Sequence, residues 1–215
     1  SFPLMLAGVE LLLILRQVSG FTATEWALLA ILLGSAIFSL VRYSKIEAQA
    51  VLTFGLHVSG ILYLGWLGGY FLSLSALPKG NWWVMVTLAL VWMADLGGYI
   101  FGTKWGKHKM SLRLSPRKTW EGYLGGVLFA VGSGLILSLA LRLVLPELGL
   151  WEGAVIGFII ALLTPFGDLF ISMLKRAAGV KDSGKLIPGH GGILDRADTW
   201  LWAMMLGYYL VLAFT

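Results

Sequence analysis

Long, uninterrupted apolar segments are the feature that most constrains how this chain can fold. We predict membrane-spanning helices over seven of them, at about residues 3–18, 26–41, 49–77, 82–102, 123–145, 153–174 and 199–215. A spanning helix needs about 20 mainly apolar residues, whereas the strands of a membrane barrel would alternate with a period of two. Only 13% of the residues are charged, about half the share found in soluble domains. The sequence therefore predicts an all-α, polytopic membrane helical bundle, whose third segment is long enough to be kinked or interrupted.

The positions of lysine and arginine predict how the helices are oriented. Of the 16 basic residues, 13 fall in three loops, at residues 42–48, 103–122 and 175–198. Such an excess is typical of cytoplasmic loops, so we expect all three on the cytoplasmic side. The net charge of +5 then reflects membrane topology and does not indicate nucleic acid binding. The absence of cysteine excludes disulfides and cysteine metal sites.

Two aspartates lie inside apolar segments, near the predicted cytoplasmic ends. An ionised carboxylate near the bilayer centre costs about 2.5–3.5 kcal/mol on insertion scales, so Asp95 and Asp168 are functional candidates. The alternative for each is contact with interfacial water or a nearby cation. Ser172 and Lys175 follow Asp168 at i+4 and i+7 on the same helical face. Glu10 has no comparable surroundings, and interhelical pairing or a lipid headgroup contact explains it more simply.

The loop at 175–198 holds more charge and glycine than a connector between membrane helices needs. It carries three aspartates, five basic residues and five glycines. Magnesium binds one or two carboxylates together with water and substrate phosphate oxygens, basic side chains neutralise phosphate, and glycine lets backbone N–H groups approach it. The loop therefore indicates a metal–phosphate site at the membrane surface, where His190 either donates to phosphate or caps the turn. A solvated loop with interfacial lysines would explain the cations but not the acids.

The second basic loop contains the octet SPRKTWEG at 115–122. Ser115 and Thr119 can contact phosphate or a nucleotide, Arg117 and Lys118 add positive charge, and Glu121 can anchor a lysine. The simpler alternative is a helix start, because serine and threonine cap helices and acids favour the first turn.

Together these residues resemble the phosphatidate cytidylyltransferases, also called CDP-diacylglycerol synthases. The signature is carried by Ser172, Lys175-Arg176, Lys181-Asp182, Pro188-Gly189-His190-Gly191-Gly192 and Asp195-Arg196-x-Asp198. Supporting matches are Asp95 with Gly98, Tyr99, Phe101 and Gly102, then Gly106-Lys107-His108-Lys109, and the octet 115–122. The resemblance covers roughly residues 80–215. We therefore divide the chain into N-terminal transmembrane helices at 1–80 and a catalytic transmembrane domain at 81–215, and members of the family commonly begin with additional helices.

The resemblance implies the reaction of CTP with phosphatidate to give CDP-diacylglycerol and pyrophosphate, in phospholipid biosynthesis. It implies a magnesium-dependent homodimer in a bacterial cytoplasmic membrane, with the site facing the cytoplasm, and it allows a second, monovalent cation such as potassium. The implied metal ligands are Asp168 and Asp195, with Asp182 and Asp198 as second choices. The expected phosphate clamps are Lys175, Arg176, Lys181, Lys185 and Arg196. The other expected substrate contacts are Ser115, Arg117, Lys118, Thr119, Glu121, Asp95, Ser172, Gly189, His190, Gly191 and Gly192.

Two other functions compete with this interpretation. Another CTP-dependent lipid enzyme, such as a lipid-alcohol kinase or a synthase for ether lipids, would share the metal and nucleotide residues. An ion transporter would use Asp95 and Asp168 along a pathway, but alternating access usually comes with internal repeats and charges at the midplane. The charges here collect at one side of the predicted membrane, which favours the enzyme.

Overall fold

A computed structural model of the chain describes residues 2–43, 47–112, 114–184 and 192–215, apart from the side chains of residues 42, 47–49 and 196. Within these residues, six helices are long and apolar enough to cross a membrane. This confirms the predicted class, an all-α, multi-pass membrane bundle. The difference from seven arises at the start of the chain, where the first two predicted spans are joined as one helix.

The first compact unit comprises Ser1–Leu77. Helix α1, at Phe2–Tyr43, is interrupted at Gly20, whose φ of 69° is a conformation that glycine adopts readily. Its two arms pack against each other, since a Cβ atom placed on Gly8 would lie 3.3 Å from the side chain of Ile31. The arms correspond to the predicted spans 3–18 and 26–41.

The third predicted span is interrupted, as its length suggested. It begins with α2 at Glu47–Gly60, continues as a π-helical segment at Ile61–Leu67, and ends with α3 at Gly69–Ser75. Glycines in this span lie against α1, because a Cβ on Gly65 would meet Leu12 at 2.9 Å. Such a close approach of two helices is the usual role of small residues in membrane bundles.

The second compact unit comprises Pro78–Thr215. Its helices are α4 at Gly80–Trp105, α5 at Trp120–Leu141, α6 at Leu150–Ala177 and α7 at Leu194–Phe214. Consecutive helices pack against each other, and α4 also packs against α6 and α7, so the four helices close into a bundle. A short antiparallel hairpin of β1 (Lys109–Ser111) and β2 (Ser115–Thr119) joins α4 to α5. No strand signal in the sequence was strong enough to predict this hairpin.

Candidate active site

Glycines bring the ends of α4 and α5 unusually close together. A Cβ on Gly122 would lie 2.7 Å from the carbonyl oxygen of Gly98, and one on Gly126 would lie 2.7 Å from that of Ala94. Both distances are too short for a side chain, so larger residues would push the helices apart. This close crossing fixes where the β-hairpin leaves α4 and where it enters α5.

Glu121 holds the segment that leads into the hairpin. Its carboxylate accepts hydrogen bonds from the backbone N–H groups of Lys107 and His108 at 3.1 Å, and His108 Nδ1 lies 2.5 Å from Glu121 Oε1. Thr119 caps α5 by accepting from the Gly122 N–H at 3.2 Å. The alternative that the octet marks a helix start is therefore confirmed at Thr119. Glu121 does not pair with a lysine side chain in this part of the structure; it binds the His108 ring and the backbone of the turn before β1.

A cavity of about 450 Å³ opens between the hairpin and helices α4, α5 and α6. Four of the predicted substrate contacts line it, namely Asp95, Arg117, Lys118 and Thr119. Its remaining wall is largely apolar and includes Tyr99, Tyr123 and Pro165. A concave, mainly apolar cavity with a few converging charged groups is the usual form of a small-molecule site.

A chain of charged side chains runs from the hairpin into the bundle. Lys118 Nζ lies 2.5 Å from Asp168 Oδ2, and the carboxyl groups of Asp168 and Asp198 lie within hydrogen-bonding contact. Asp95 also interacts electrostatically with Lys118 and with Asp168. Asp198 is only 3% exposed and accepts from the N–H and hydroxyl of Thr199 at 2.7 and 3.1 Å. The structure thus brings Asp95, Lys118, Asp168 and Asp198 together.

Asp195 organises a second cluster, at the start of α7. Its Oδ1 accepts from Lys175 Nζ at 2.6 Å, and its Oδ2 accepts from the N–H and hydroxyl of Ser183 at 2.8 and 2.9 Å and from the Gly192 N–H at 2.8 Å. Burial opposes ionisation of this carboxyl, but the hydrogen bond from Lys175 and those from Gly192 and Ser183 outweigh it and hold its pKa below the usual range. Asp195 therefore ties the end of α6 to the following loop and to α7.

A proline and a tyrosine shape α6 just before Asp168. Pro165 lies inside the helix, where it lacks the N–H that would bond to residue 161. The Tyr123 hydroxyl donates to the Leu162 carbonyl oxygen at 2.8 Å, so α5 supports α6 within one turn of the proline. Nothing in the spacing of the sequence indicated this contact, and Tyr123 and Lys109, which also lines the cavity, were not among the predicted site residues.

The other predicted residues are spread over this end of the unit. Ser172 is buried and lies on the same face of α6 as Asp168 and Lys175. Arg176 donates to the Val180 carbonyl oxygen at 3.1 Å. Lys181 and Asp182 are exposed. Ser115 lies opposite Ser111 in the β-hairpin. Four predicted contacts, Lys185, Gly189, His190 and Gly191, lie outside the described residues, as does the side chain of Arg196.

Asp168 and Asp198 bring two carboxyl groups into contact, and carboxylate oxygen is the type of ligand that magnesium prefers. No group of three or more His, Cys, Asp or Glu side chains that could hold a metal occurs in the described part of the chain. Magnesium in phosphate-transfer sites nevertheless needs only one or two carboxylates, because water and substrate oxygens complete its shell. Two carboxyl groups in contact repel each other when both are ionised, and a cation beside them relieves that repulsion.

Comparison with known proteins identifies close similarities over the whole chain. A family model described as the cytidylyltransferase family matches residues 1–214. A phosphatidate cytidylyltransferase of Staphylococcus epidermidis is 31% identical over 96% of this chain and 78% of its own length. The protein of that name from Bacillus subtilis is 34% identical over 93% of this chain and 72% of its own length. One from Synechocystis is 45% identical over 62% of this chain and 44% of its own length.

Proposed function

Because this chain belongs to the cytidylyltransferase family, we propose that it transfers the cytidylyl group of CTP to phosphatidate, releasing pyrophosphate. Relatives that match nearly the whole chain bear the name of that activity. The observation in the structure that best supports it is the contact of Lys118 with Asp168, and of Asp168 with Asp198, beside a cavity that opens under the hairpin. Such an arrangement combines cations for phosphate with oxygen ligands for a divalent metal.

The proposed reaction needs no nucleophile from the protein. A phosphate oxygen of phosphatidate attacks the α-phosphorus of CTP, a new P–O bond forms, and the bond from the α-phosphorus to the β-phosphate oxygen breaks as pyrophosphate leaves. The attacking oxygen is already anionic, so catalysis consists of positioning and charge neutralisation. Lys118 and Arg117 at the cavity would hold the triphosphate. Asp168, with Asp198 beside it, would hold the magnesium ion, which supplies further neutralisation of phosphate charge when bound.

The Asp195 cluster would act as a support for this site. Its two oxygens accept four hydrogen bonds from the protein, which keeps Lys175 and the start of α7 in place. Since Asp198 lies one turn beyond Asp195 on α7, the cluster would position the carboxyl that contacts Asp168. Its further role as a metal ligand stays a prediction, as do Asp182 as a ligand, the monovalent cation and the homodimer.

The side of the membrane on which the site lies is proposed from the positions of lysine and arginine. Eleven of the 16 basic residues lie in the segments 103–122 and 175–198, at the ends of the helices that carry this site, and cytoplasmic loops carry such an excess. We therefore place the site at the cytoplasmic face. The named relatives are bacterial, which supports a bacterial cytoplasmic membrane.

The test uses CTP labelled at different phosphorus atoms. Purified protein in detergent is incubated with magnesium, phosphatidate and either α-labelled or γ-labelled CTP, and the lipid fraction is counted. Cytidylyl transfer to phosphatidate moves the α-label into lipid and leaves the γ-label in pyrophosphate. A CTP-dependent kinase, given a lipid alcohol such as diacylglycerol in a parallel reaction, instead moves the γ-label into lipid and leaves the α-label in CDP. An ether-lipid analogue of phosphatidate in parallel distinguishes the synthase for such lipids.

Matched variants then test the site. Asp168→Asn should reduce α-label transfer by more than 100-fold, on the order of the loss when a charged catalytic contact is removed. Glu152→Gln removes an acid in the first turn of the same helix and should retain activity. Near-native turnover of Asp168→Asn at limiting magnesium would show that the site is misassigned.

A further inference from the structure

A second cavity lies in the first unit, and none of the charged residues described above lines it. It has a volume of about 400 Å³ and is lined by both arms of α1, by α2 and by the start of the π-helical segment. Gly34 leaves part of this space open, since a Cβ there would meet nothing within 4 Å. Among the described residues that line it, only Ser35 and His57 are polar, and none is an aspartate, glutamate, lysine or arginine.

His57 is the unusual member of this lining. It is only 6% exposed, and it lies in a span that is otherwise strongly apolar. Its ring is 6.3 Å from that of Phe38, but it makes no hydrogen bond with any residue that the structure describes. A polar ring in such apolar surroundings is stabilised by a hydrogen-bond partner, so a ligand that offers an acceptor would be favoured here.

The depth of His57 indicates which part of a lipid could reach it. The candidate span Ala50–Ser75 has 26 residues, about 39 Å at 1.5 Å per residue, which exceeds the hydrocarbon thickness by about 9 Å. His57 lies seven residues, about 10 Å, from the end at Ala50. For a helix near the membrane normal, its Cα atom therefore lies about 6 Å inside the hydrocarbon boundary, a few methylene groups below the lipid esters. Helical side chains lean toward the N-terminus of their helix, so the ring of His57 is directed back toward the end at Ala50 and the ester groups there.

We propose that this cavity binds an ester-linked acyl chain of a membrane diacyl lipid, with a ring N–H of His57 donating to the ester carbonyl oxygen. A histidine ring carries an N–H in both protonation states, which suits an ester oxygen that can only accept. A neutral, apolar lining fits the chain and its ester but offers nothing to a phosphate headgroup. The proposal concerns a bound structural lipid and stands independently of the proposed reaction.

The experiment uses phosphatidylcholine, which lacks the phosphomonoester of the proposed substrate. The purified protein is placed in vesicles containing a phosphatidylcholine with a diazirine on one acyl chain, irradiated, and mapped by peptide mass spectrometry. Cross-links to peptides of α1 are normalised to those at the exposed α5 residues Leu128 and Ile136. We expect a two- to tenfold excess of the ester lipid over its ether-linked counterpart, about the range that one hydrogen bond supports.

Two sets of variants test the hydrogen bond from His57 separately from the volume of the cavity. His57→Leu should remove the preference for the ester lipid, and His57→Gln, which retains a donor, should keep most of it. Gly34→Leu fills the cavity and should abolish the cross-links, whereas Gly55→Leu, at an equally open glycine outside the lining, should not. Equal labelling by both lipids in the native protein, or labelling that survives Gly34→Leu, would overturn the proposal. Cross-links from this cavity to a second copy of the chain would also overturn it.

Discussion

Replacing Asp195 by asparagine should destabilise the protein even without metal or substrate. The side chains of Lys175 and Asp195 are only 14% and 9% exposed, so the substitution leaves a largely buried ammonium without its partner. Breaking a buried ion pair in this way costs about 3–5 kcal/mol, and we take the lower value because the loop around Ser183 is open to water. For a chain of 215 residues, about 3 kcal/mol corresponds to a fall in Tm of about 6–12 °C.

The assay is thermal unfolding in detergent with EDTA present and CTP absent, followed by tryptophan fluorescence. Under these conditions any contribution from metal or substrate binding is removed. Asp182→Asn is the matched control, because it makes the same chemical change at an exposed position on the same loop. We expect that control to stay within about 2 °C of the native protein, as is usual for surface substitutions.

A double-mutant cycle identifies the ion pair as the cause. Lys175→Met removes the ammonium, and in its presence the loss caused by Asp195→Asn should shrink by about 1.5–3 kcal/mol, the net strength of a hydrogen bond between charged groups. Strict additivity of the two changes would refute the pairing. A Tm for Asp195→Asn that matches the Asp182→Asn control would show that Asp195 does not stabilise the junction of α6, the following loop and α7.

Three further outcomes follow from individual contacts. Its hydrogen bonds lower the pKa of Asp195, so its stabilising effect should be complete above the unfolded pKa of about 4 and should decline as the pH falls below that value toward the folded pKa. The Tm difference between the native protein and Asp195→Asn should therefore be smaller at about pH 3 than at about pH 6. Tyr123→Phe removes the donor to the Leu162 carbonyl and should lower Tm by about 2–4 °C, equivalent to about 1 kcal/mol. Lys79→Ala breaks an ion pair with Glu147 whose side chains are 38% and 41% exposed, so its Tm in the same assay should change by less than about 2 °C.

The bundle itself could be predicted from the sequence because membrane helices need length and apolarity, which a single chain displays directly. The break in α1 was harder to interpret. A glycine with positive φ turns the chain at Gly20, yet it leaves no polar loop that would separate two helices. The π-helical segment was foreseeable only as an irregularity in a span that was too long.

The sequence could predict which residues belong to the site, but not which of those residues pair with each other. Spacing placed Asp168, Ser172 and Lys175 on one helical face, and the structure has them there. It could not show that Lys175 pairs with Asp195, 20 residues later, or that Lys118 from the hairpin reaches Asp168. Such contacts depend on how helices cross, and sequence separation carries no information about that angle.

Glycines determine how closely these helices cross, because a side chain at the same position would collide with the neighbouring helix. A Cβ on Gly167 would lie 2.9 Å from the Asp198 carbonyl oxygen, so any side chain there would push α7 away from α6. Asp168 follows Gly167 directly, and that displacement would separate the carboxyl groups of Asp168 and Asp198. Gly132, in contrast, has nothing within 4 Å of its Cβ position and imposes no such limit. The close contact between two acids inside a membrane bundle is therefore a consequence of one small residue at the α6–α7 crossing, which is why the charges and the glycines of this chain have to be interpreted together.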